Sequence, residues 1–243
     1  MFLRLLNRAS ARLARVAGEP LADRLPSQCA VCRAWPARPV CEACVTRFAQ
    51  PLPRCSGCAL PLPAGLTRCG ACLREPPPLD ACLAAVPYAW PWSQGIARFK
   101  FHQHSGWARP LAALLRSQPW VEPALEQADL LLPMPLSRQR LAERGFNQAL
   151  LLARQLAPRK TDAGLLLRTR DTPAQHALPR RERLRNLRGA FAVEPLRAAE
   201  LAGRRVVLVD DVMTSGASLH AAALALRQAG VAHITAMVVA RTE

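Results

Sequence analysis

Two adjacent carboxylates, Asp210 and Asp211, follow an unbroken apolar run, Val206-Val207-Leu208-Val209, and precede Thr214-Ser215-Gly216-Ala217-Ser218. A carboxylate pair can accept hydrogen bonds from ribose hydroxyls or help hold a hydrated divalent cation. Glycine and hydroxyl residues ahead of a helix present free N–H groups and hydroxyls at a helix N-terminus, which suits a phosphate. Two acids at a strand end are a weak signal. The whole string, with four apolar residues before the acids and TSGAS after them, is a strong one.

A second group is basic. Leu130-Leu131-Leu132 reads as a short buried strand, and Pro133-Met134-Pro135-Leu136 follows it. Ser137, Arg138, Arg140 and Arg144 then come before a helix expected over 149–156. Three arginines in a loop between strand and helix are suited to an anion, because a planar guanidinium can bind two oxygens at once. A further basic run over 168–185 contains Gln175, Arg180, Arg181, Arg183 and Arg185. It has few large apolar residues and reads as a mobile lid or an exposed helix.

The third group is the cysteines. Eight of nine form four CxxC pairs, Cys29/Cys32, Cys41/Cys44, Cys55/Cys58 and Cys69/Cys72, with gaps of 8, 10 and 10 residues. CxxC sets two thiolates on one tight knuckle with a bite suited to tetrahedral zinc, so eight cysteines can close two structural sites. Gly57 and Gly70 fall inside two knuckles, where the backbone turns sharply. Disulfides, an iron–sulfur cluster and a redox dithiol are the weaker alternatives. Sequential pairing, first with second and third with fourth, is the simpler arrangement, and cross-braced pairing stays open. Such a block is expected to bury little apolar surface and to draw its folding energy largely from metal. Pro76-Pro77-Pro78 reads as a stiff linker. Cys82 opens an apolar stretch and reads as a small core residue.

These groups need elements to hold them. The 206–209 run has the continuous apolarity of a strand covered on both faces in a parallel sheet. The alanine-rich 219–229 segment reads as a helix stopped by Gly230, and 233–240 as the next strand. Strand, acidic end, loop, helix and strand make an α/β unit, and such sheets bind ligands beyond the carboxyl ends of their strands. Residues 1–17 carry four arginines and no acid, with Phe2, Leu5, Leu6, Leu13 and Val16 at roughly helical spacing. They read as a basic helix capping the zinc module, with membrane-surface binding or a transit peptide as alternatives.

The chain has 243 residues, with 33 Lys+Arg against 17 Asp+Glu and a net charge of +16. That length suits one large domain or two modest ones. No window approaches the roughly 18 uninterrupted apolar residues of a membrane span. No apolar core with a small-residue cleavage site follows the N-terminus. The expectation is a cytoplasmic protein with no integral membrane span. Residues 1–82 hold 11 bases and 5 acids, 83–133 hold 4 and 3, 134–190 hold 13 and 4, and 191–243 hold 5 and 5. More than half of the excess therefore lies in 134–190, which implies an acidic partner, either a nucleic-acid backbone or a phosphorylated small molecule. Phe146 is that stretch's only aromatic. Single-strand binders stack bases on aromatic platforms, so a small phosphorylated ligand is favoured there. The cysteine block offers Trp35 and Phe48 as a thin platform.

VVLVDDVMTSGAS resembles the 5-phosphoribosyl-1-pyrophosphate (PRPP) signature of the type I phosphoribosyltransferases. PMPLSRQRLAERGFNQ and RTRDTPAQHALPRRERLRNLRGAF resemble the ComF-type proteins, the competence-associated branch of that family. FKFHQHSG is similar, more loosely, to that branch's lysine-containing segment, and the eight cysteines match the double zinc ribbon of many members. The resemblance runs from about residue 28 to the C-terminus. It implies a type I phosphoribosyltransferase-like α/β fold, a parallel sheet flanked by helices behind a small cysteine-rich module. The chain would divide into a basic helix (1–27), a double zinc ribbon (28–78) and a phosphoribosyltransferase-like domain (79–243).

The resemblance also implies roles. Asp210 and Asp211 would contact ribose hydroxyls, and Thr214, Ser215, Gly216, Ala217 and Ser218 would cradle the 5-phosphate. Leu136, Ser137, Arg138, Arg140 and Arg144 would hold pyrophosphate with Mg²⁺, with Arg138 joining the acids in catalysis. Gln175, Arg183 and Arg185 would belong to a lid that excludes water. The eight paired cysteines would hold two structural Zn²⁺. The implied activity is phosphoribosyl transfer to an unread acceptor, linked to DNA uptake and nucleotide salvage. The alternative is a non-catalytic single-stranded-DNA-binding or adaptor protein of the uptake machinery. No residue reads as a base for the nucleophile; His102, His104 and His176 read as exposed polar histidines.

Overall fold

The structure, a computed structural model, describes residues 27–101, 104–170 and 189–242. In chain order its elements are α1 (Glu42–Phe48), α2 (Gly70–Arg74), β1 (Ala81–Pro87), α3 (Trp92–Phe101), α4 (Ala108–Arg116), α5 (Val121–Gln127) and β2 (Leu130–Pro133). Then come α6 (Arg138–Arg144), α7 (Gln148–Leu156), β3 (Leu166–Arg168), β4 (Phe191–Val193), β5 (Arg205–Met213), α8 (Ala217–Gln228) and β6 (His233–Arg241).

Four strands form a parallel sheet in the order β1-β6-β5-β2. Val206 to Val209 are all buried because helices cover both faces of β5. Val206 and Leu208 join a core with Leu219, Ala222 and Leu226 of α8, while Val207 and Val209 join one with Leu111 and Leu114 of α4 and Leu152 of α7. A separate antiparallel ribbon, β3 with β4, brackets residues 171–188. Gln175, Arg183 and Arg185, expected in a lid, the expected basic helix of 1–27 apart from its last residue, His102 and His176 lie outside the described residues. Among the described residues, no helix is long and apolar enough to cross a membrane.

Two local expectations change. β5 does not stop before the acids but carries them, because β6 pairs with it as far as Met213 opposite Arg241. Asp210 and Asp211 are thus held by the ladder itself. The arginines expected in a loop lie on α6. Ser137 caps that helix by accepting a hydrogen bond from the Arg140 N–H at 3.3 Å, and Gly145, at φ 75°, ends it. Between these signals lie only good helix formers.

The cysteine block also departs from the sequence reading, because it buries apolar surface against the sheet. Cys29, Val40, Cys44 and Ala49 share a core with Val86, Trp92, Ile96 and Phe99. Cys55, Cys58, Ala59 and Cys72 share the other core with Cys82, Met134, Leu208 and Met213. Pro77 packs on Gly57, where a Cβ would come within 3.0 Å of the proline ring. Cys82 is buried, as its apolar surroundings in sequence imply.

Candidate functional site at the carboxyl end of β5

The acidic pair is anchored by its own backbone. The Asp211 N–H donates to Asp210 Oδ1 at 2.9 Å, and the Val212 N–H donates to Asp211 Oδ1 at 2.7 Å. Asp211 is buried and meets a partner that sequence reasoning left without a role. Lys100 Nζ lies 2.9 Å from Asp211 Oδ1, with both side chains largely shielded from water. Burial first, and the neighbouring Asp211 charge second, raise the Asp210 carboxyl to about 7, while Lys100 pulls the other way. A site with an acid this reluctant to ionise is prepared for a cation or for hydroxyl donors.

Lys100 is placed by α3. Trp92, Ile96 and Phe99 form the buried face of that helix, and Gly95 lets Trp107 lie against it. A Cβ at Gly95 would stand 2.4 Å from the Trp107 ring. The sequence signals for Lys100 were its rarity, one lysine of two in an arginine-dominated chain, and its place in FKFHQHSG, the segment loosely similar to a lysine-containing one.

Arg144, at the end of α6, closes the cluster. Its guanidinium donates to Gln148 Oε1 at 3.0 Å and lies 5.5 Å from the centre of the Phe101 ring. Burial first, then the Arg140 charge, lower its pKa, while Asp211 and Asp210 oppose that shift. Arg140 is half-buried and Arg138 exposed on the first turn of α6; Leu136 is half-buried and Ser137 is buried as the cap. Asn147 ties this loop to the sheet by donating to the Met134 carbonyl at 3.0 Å while it caps α7.

The segment 214–218 turns directly from β5 into α8. Gly216 is the N-cap at φ 78°, a left-handed conformation that favours glycine. A Cβ there would stand 2.3 Å from Met213 Cε. Thr214 is exposed, Ser215 and Ser218 are half-buried, and Ala217 is buried as the first helical residue. Hydroxyls and helix N–H groups therefore gather one step beyond the two acids. A cleft lined by Ala81, Trp120, Arg205 and His233 lies at the opposite, amino ends of the strands, away from these groups.

The cysteines form two tetrads in sequential pairing, Cys29, Cys32, Cys41 and Cys44, then Cys55, Cys58, Cys69 and Cys72. The sulfur separations include 3.8 Å for Cys29 and Cys44, 3.6 Å for Cys32 and Cys41, and 3.7 Å for Cys58 and Cys69. Four sulfurs about 2.3 Å from one zinc ion stand roughly 3.8 Å apart, so both tetrads fit it. The two sites repeat one design, since Cys41 N–H donates to Cys29 Sγ at 3.4 Å and Cys69 N–H to Cys55 Sγ at 3.3 Å. Burial pushes the Cys29 and Cys55 thiols up, but backbone donors outweigh it and bring them to about 6 and about 7. Beside the second tetrad, Arg54 Nε and Nη2 are buried without a hydrogen-bond partner among the described residues. Arg54 and the buried Arg241 both act on Cys82 together with Cys55 and Cys58. Two cations in so small a space fit a tetrathiolate zinc centre, which carries net negative charge.

A parallel α/β sheet whose central strand ends in an acidic pair and turns through a glycine-hydroxyl loop into a helix defines a phosphoribosyltransferase-type protein. The Phosphoribosyl transferase domain family matches residues 142–243. The DNA utilization protein YhgH of Escherichia coli K12 is 34% identical over 176 residues, covering 70% of this chain and 76% of that protein. Competence protein F of Haemophilus influenzae is 35% identical over 178 residues with the same coverage. Competence protein ComFC of Bacillus subtilis is 36% identical over 112 residues, 42% of this chain and 40% of that protein. The chain belongs to the ComF-type family.

Proposed function

We propose that the chain binds PRPP with Mg²⁺ at the carboxyl end of β5 and transfers its phosphoribosyl group to a nucleophile. The observation that carries this reading is the acidic pair, laddered into β5, directly before the 214–218 turn and beside Lys100 and Arg144. In the reaction the C1–O bond to pyrophosphate breaks, the pyrophosphate keeps the electron pair, and the nucleophile bonds to C1. Asp210 and Asp211 hold the ribose hydroxyls and offset positive charge that builds on the ring. Thr214, Ser215, Gly216, Ala217 and Ser218 surround the 5-phosphate with N–H and hydroxyl donors. Arg138, Arg140 and Arg144, with Leu136 and Ser137 shaping the loop, stabilise the departing pyrophosphate. Mg²⁺ supplies further neutralisation of the diphosphate charge. The roles of Gln175, Arg183 and Arg185 as a lid, and of two tetrad-bound Zn²⁺ as structural ions, belong to the same reading.

Isothermal titration with PRPP and Mg²⁺ tests it. The expected result is saturable binding that is lost in Asp210→Asn/Asp211→Asn. No binding by the wild type, or unchanged binding by the variant, overturns the site.

A second reading concerns nucleic acid, and the exposed aromatics in and beside the first tetrad's module favour it. Trp35 and Trp90 are more than half exposed, Trp90 stands edge-on to Phe48 at 5.0 Å, and Arg47 lies 5.2 Å from the Phe48 ring. Aromatic faces beside arginine suit stacked single-stranded bases. It accords with the names of the relatives, which concern DNA utilization and competence. Binding of a single-stranded oligonucleotide that survives Trp35→Ala/Trp90→Ala would argue against this surface.

A further inference from the structure

We infer that the second cysteine tetrad is part of the support of the 214–218 phosphate loop, and that Arg241 is the positioning residue that joins the two. This rests on the PRPP reading of that loop.

Arg241 ends β6 and is buried. Its Nε donates to the Cys58 carbonyl at 2.8 Å, inside the third knuckle. Its Nη1 donates to the Met213 carbonyl at 3.2 Å, the last residue of β5 before the loop. The Thr242 N–H donates to the same carbonyl at 3.1 Å. One guanidinium thus spans a metal knuckle and the root of the phosphate loop.

A second strut runs in parallel. The Cys82 N–H donates to the Ser56 carbonyl at 2.7 Å, between Cys55 and Gly57. The Cys82 thiol then meets Met213 Sδ at 3.4 Å. Met213 in turn packs under Gly216, leaving no room for a Cβ. The order of contact is therefore knuckle, Cys82, Met213, Gly216. Residues 55–58 can take only the path that the four sulfurs allow. Loss of the metal frees that path and withdraws two fixed carbonyls, of Ser56 and Cys58, from their donors. Nη1 keeps its acceptors at Met213 and Thr242, but Nε loses the Cys58 carbonyl and the buried guanidinium loses the negative centre that balances it, which is costly enough to move it.

Such coupling is reciprocal. If zinc in the second tetrad tightens PRPP, PRPP must tighten that zinc by the same factor. A residue that merely stabilised the fold would lower the melting temperature without changing this factor.

The experiment uses the full chain. Zinc is titrated off with a chromogenic chelator, with and without saturating PRPP and Mg²⁺, in wild type, Arg241→Met and Arg241→Lys. Amide hydrogen exchange at 214–218 is followed in the zinc-loaded and zinc-stripped protein without PRPP. The expected result is a zinc affinity raised about tenfold by PRPP in the wild type, near-complete loss of that factor in Arg241→Met, and partial rescue in Arg241→Lys. Exchange at 214–218 should quicken on zinc removal. Equal zinc affinity with and without bound PRPP, or unchanged exchange in the loop, overturns the coupling. If the wild type binds no PRPP, the ligand reading fails, and the exchange measurement alone decides whether metal and loop are joined.

Discussion

The two cysteine tetrads carry four cysteines each at nearly the same spacing, yet they pack into the cores on opposite faces of the sheet. The first lies against α3, through Trp92 Nε1 donating to the Phe48 carbonyl at 2.8 Å and a shared core with Ile96 and Phe99. That helix delivers Lys100 to Asp211. Gln118 adds a second tie by donating to the Ala49 carbonyl at 2.9 Å. The second tetrad lies against the other core and touches Met213, the root of the 214–218 loop, through Arg241 and Cys82. The first has an exposed ligand, Cys32, while three of the second's four are buried. The four cysteines are alike in both, so what distinguishes the tetrads is what their knuckles pack upon.

Substitutions in and around the tetrads test their asymmetry. The strongest is Cys58→Ser, which unmakes a buried ligand. We expect it to cost about 3 kcal/mol or more, roughly 10 °C in Tm, while Cys32→Ser costs less than half as much; equal losses by calorimetry would remove the asymmetry. Next is the Lys100–Asp211 pair on the first tetrad's side. Asp211→Asn should weaken PRPP binding roughly 30-fold or more, from the loss of a charged hydrogen bond, and Lys100→Met about tenfold. A larger effect from Lys100→Met in titration calorimetry would place the lysine, rather than the acid, on the ligand. Gly216→Ala forces a Cβ onto Met213 at positive φ and should cost about 2 kcal/mol in denaturant unfolding. Trp92→Phe removes one donor from the Phe48 carbonyl, with an expected cost of about 1 kcal/mol and a smaller effect on PRPP than any change at Met213.

The last test concerns slope rather than size. The Asp210 pKa is raised in the fold, so the native state binds more protons than the unfolded chain between the ordinary carboxyl range and about 7. Stability should therefore fall as pH rises through that window and level off above it. Asp210→Asn should flatten the curve and be the more stable protein at pH 8. A wild-type Tm that rises across the window would contradict the burial of this carboxyl.

Much of this was readable in the residues because it is local. CxxC spacing, the 206–209 run, the TSGAS turn, and the proximity of Ser137 and Gly145 to the arginines are patterns a few residues long. The helix α6 was also written there, in a cap and a left-handed glycine on either side of helix formers. Lys100 with Asp211, Cys82 with Met213, and Arg241 with Cys58 join residues far apart in the chain, 131 positions for the second pair and 183 for the third. No periodicity marks such pairs.

Residue types and short spacings showed which groups were on offer: four CxxC pairs, an acidic pair, a glycine-hydroxyl turn and a reserve of arginine. They did so because bond geometry and hydrogen bonding act within a few residues. The neighbours of each group were decided by the packing of a parallel sheet, whose faces bring distant segments together and whose carboxyl edge collects them. That packing turned two similar cysteine blocks into unlike supports, and a lysine with no assigned role into the partner of the buried aspartate.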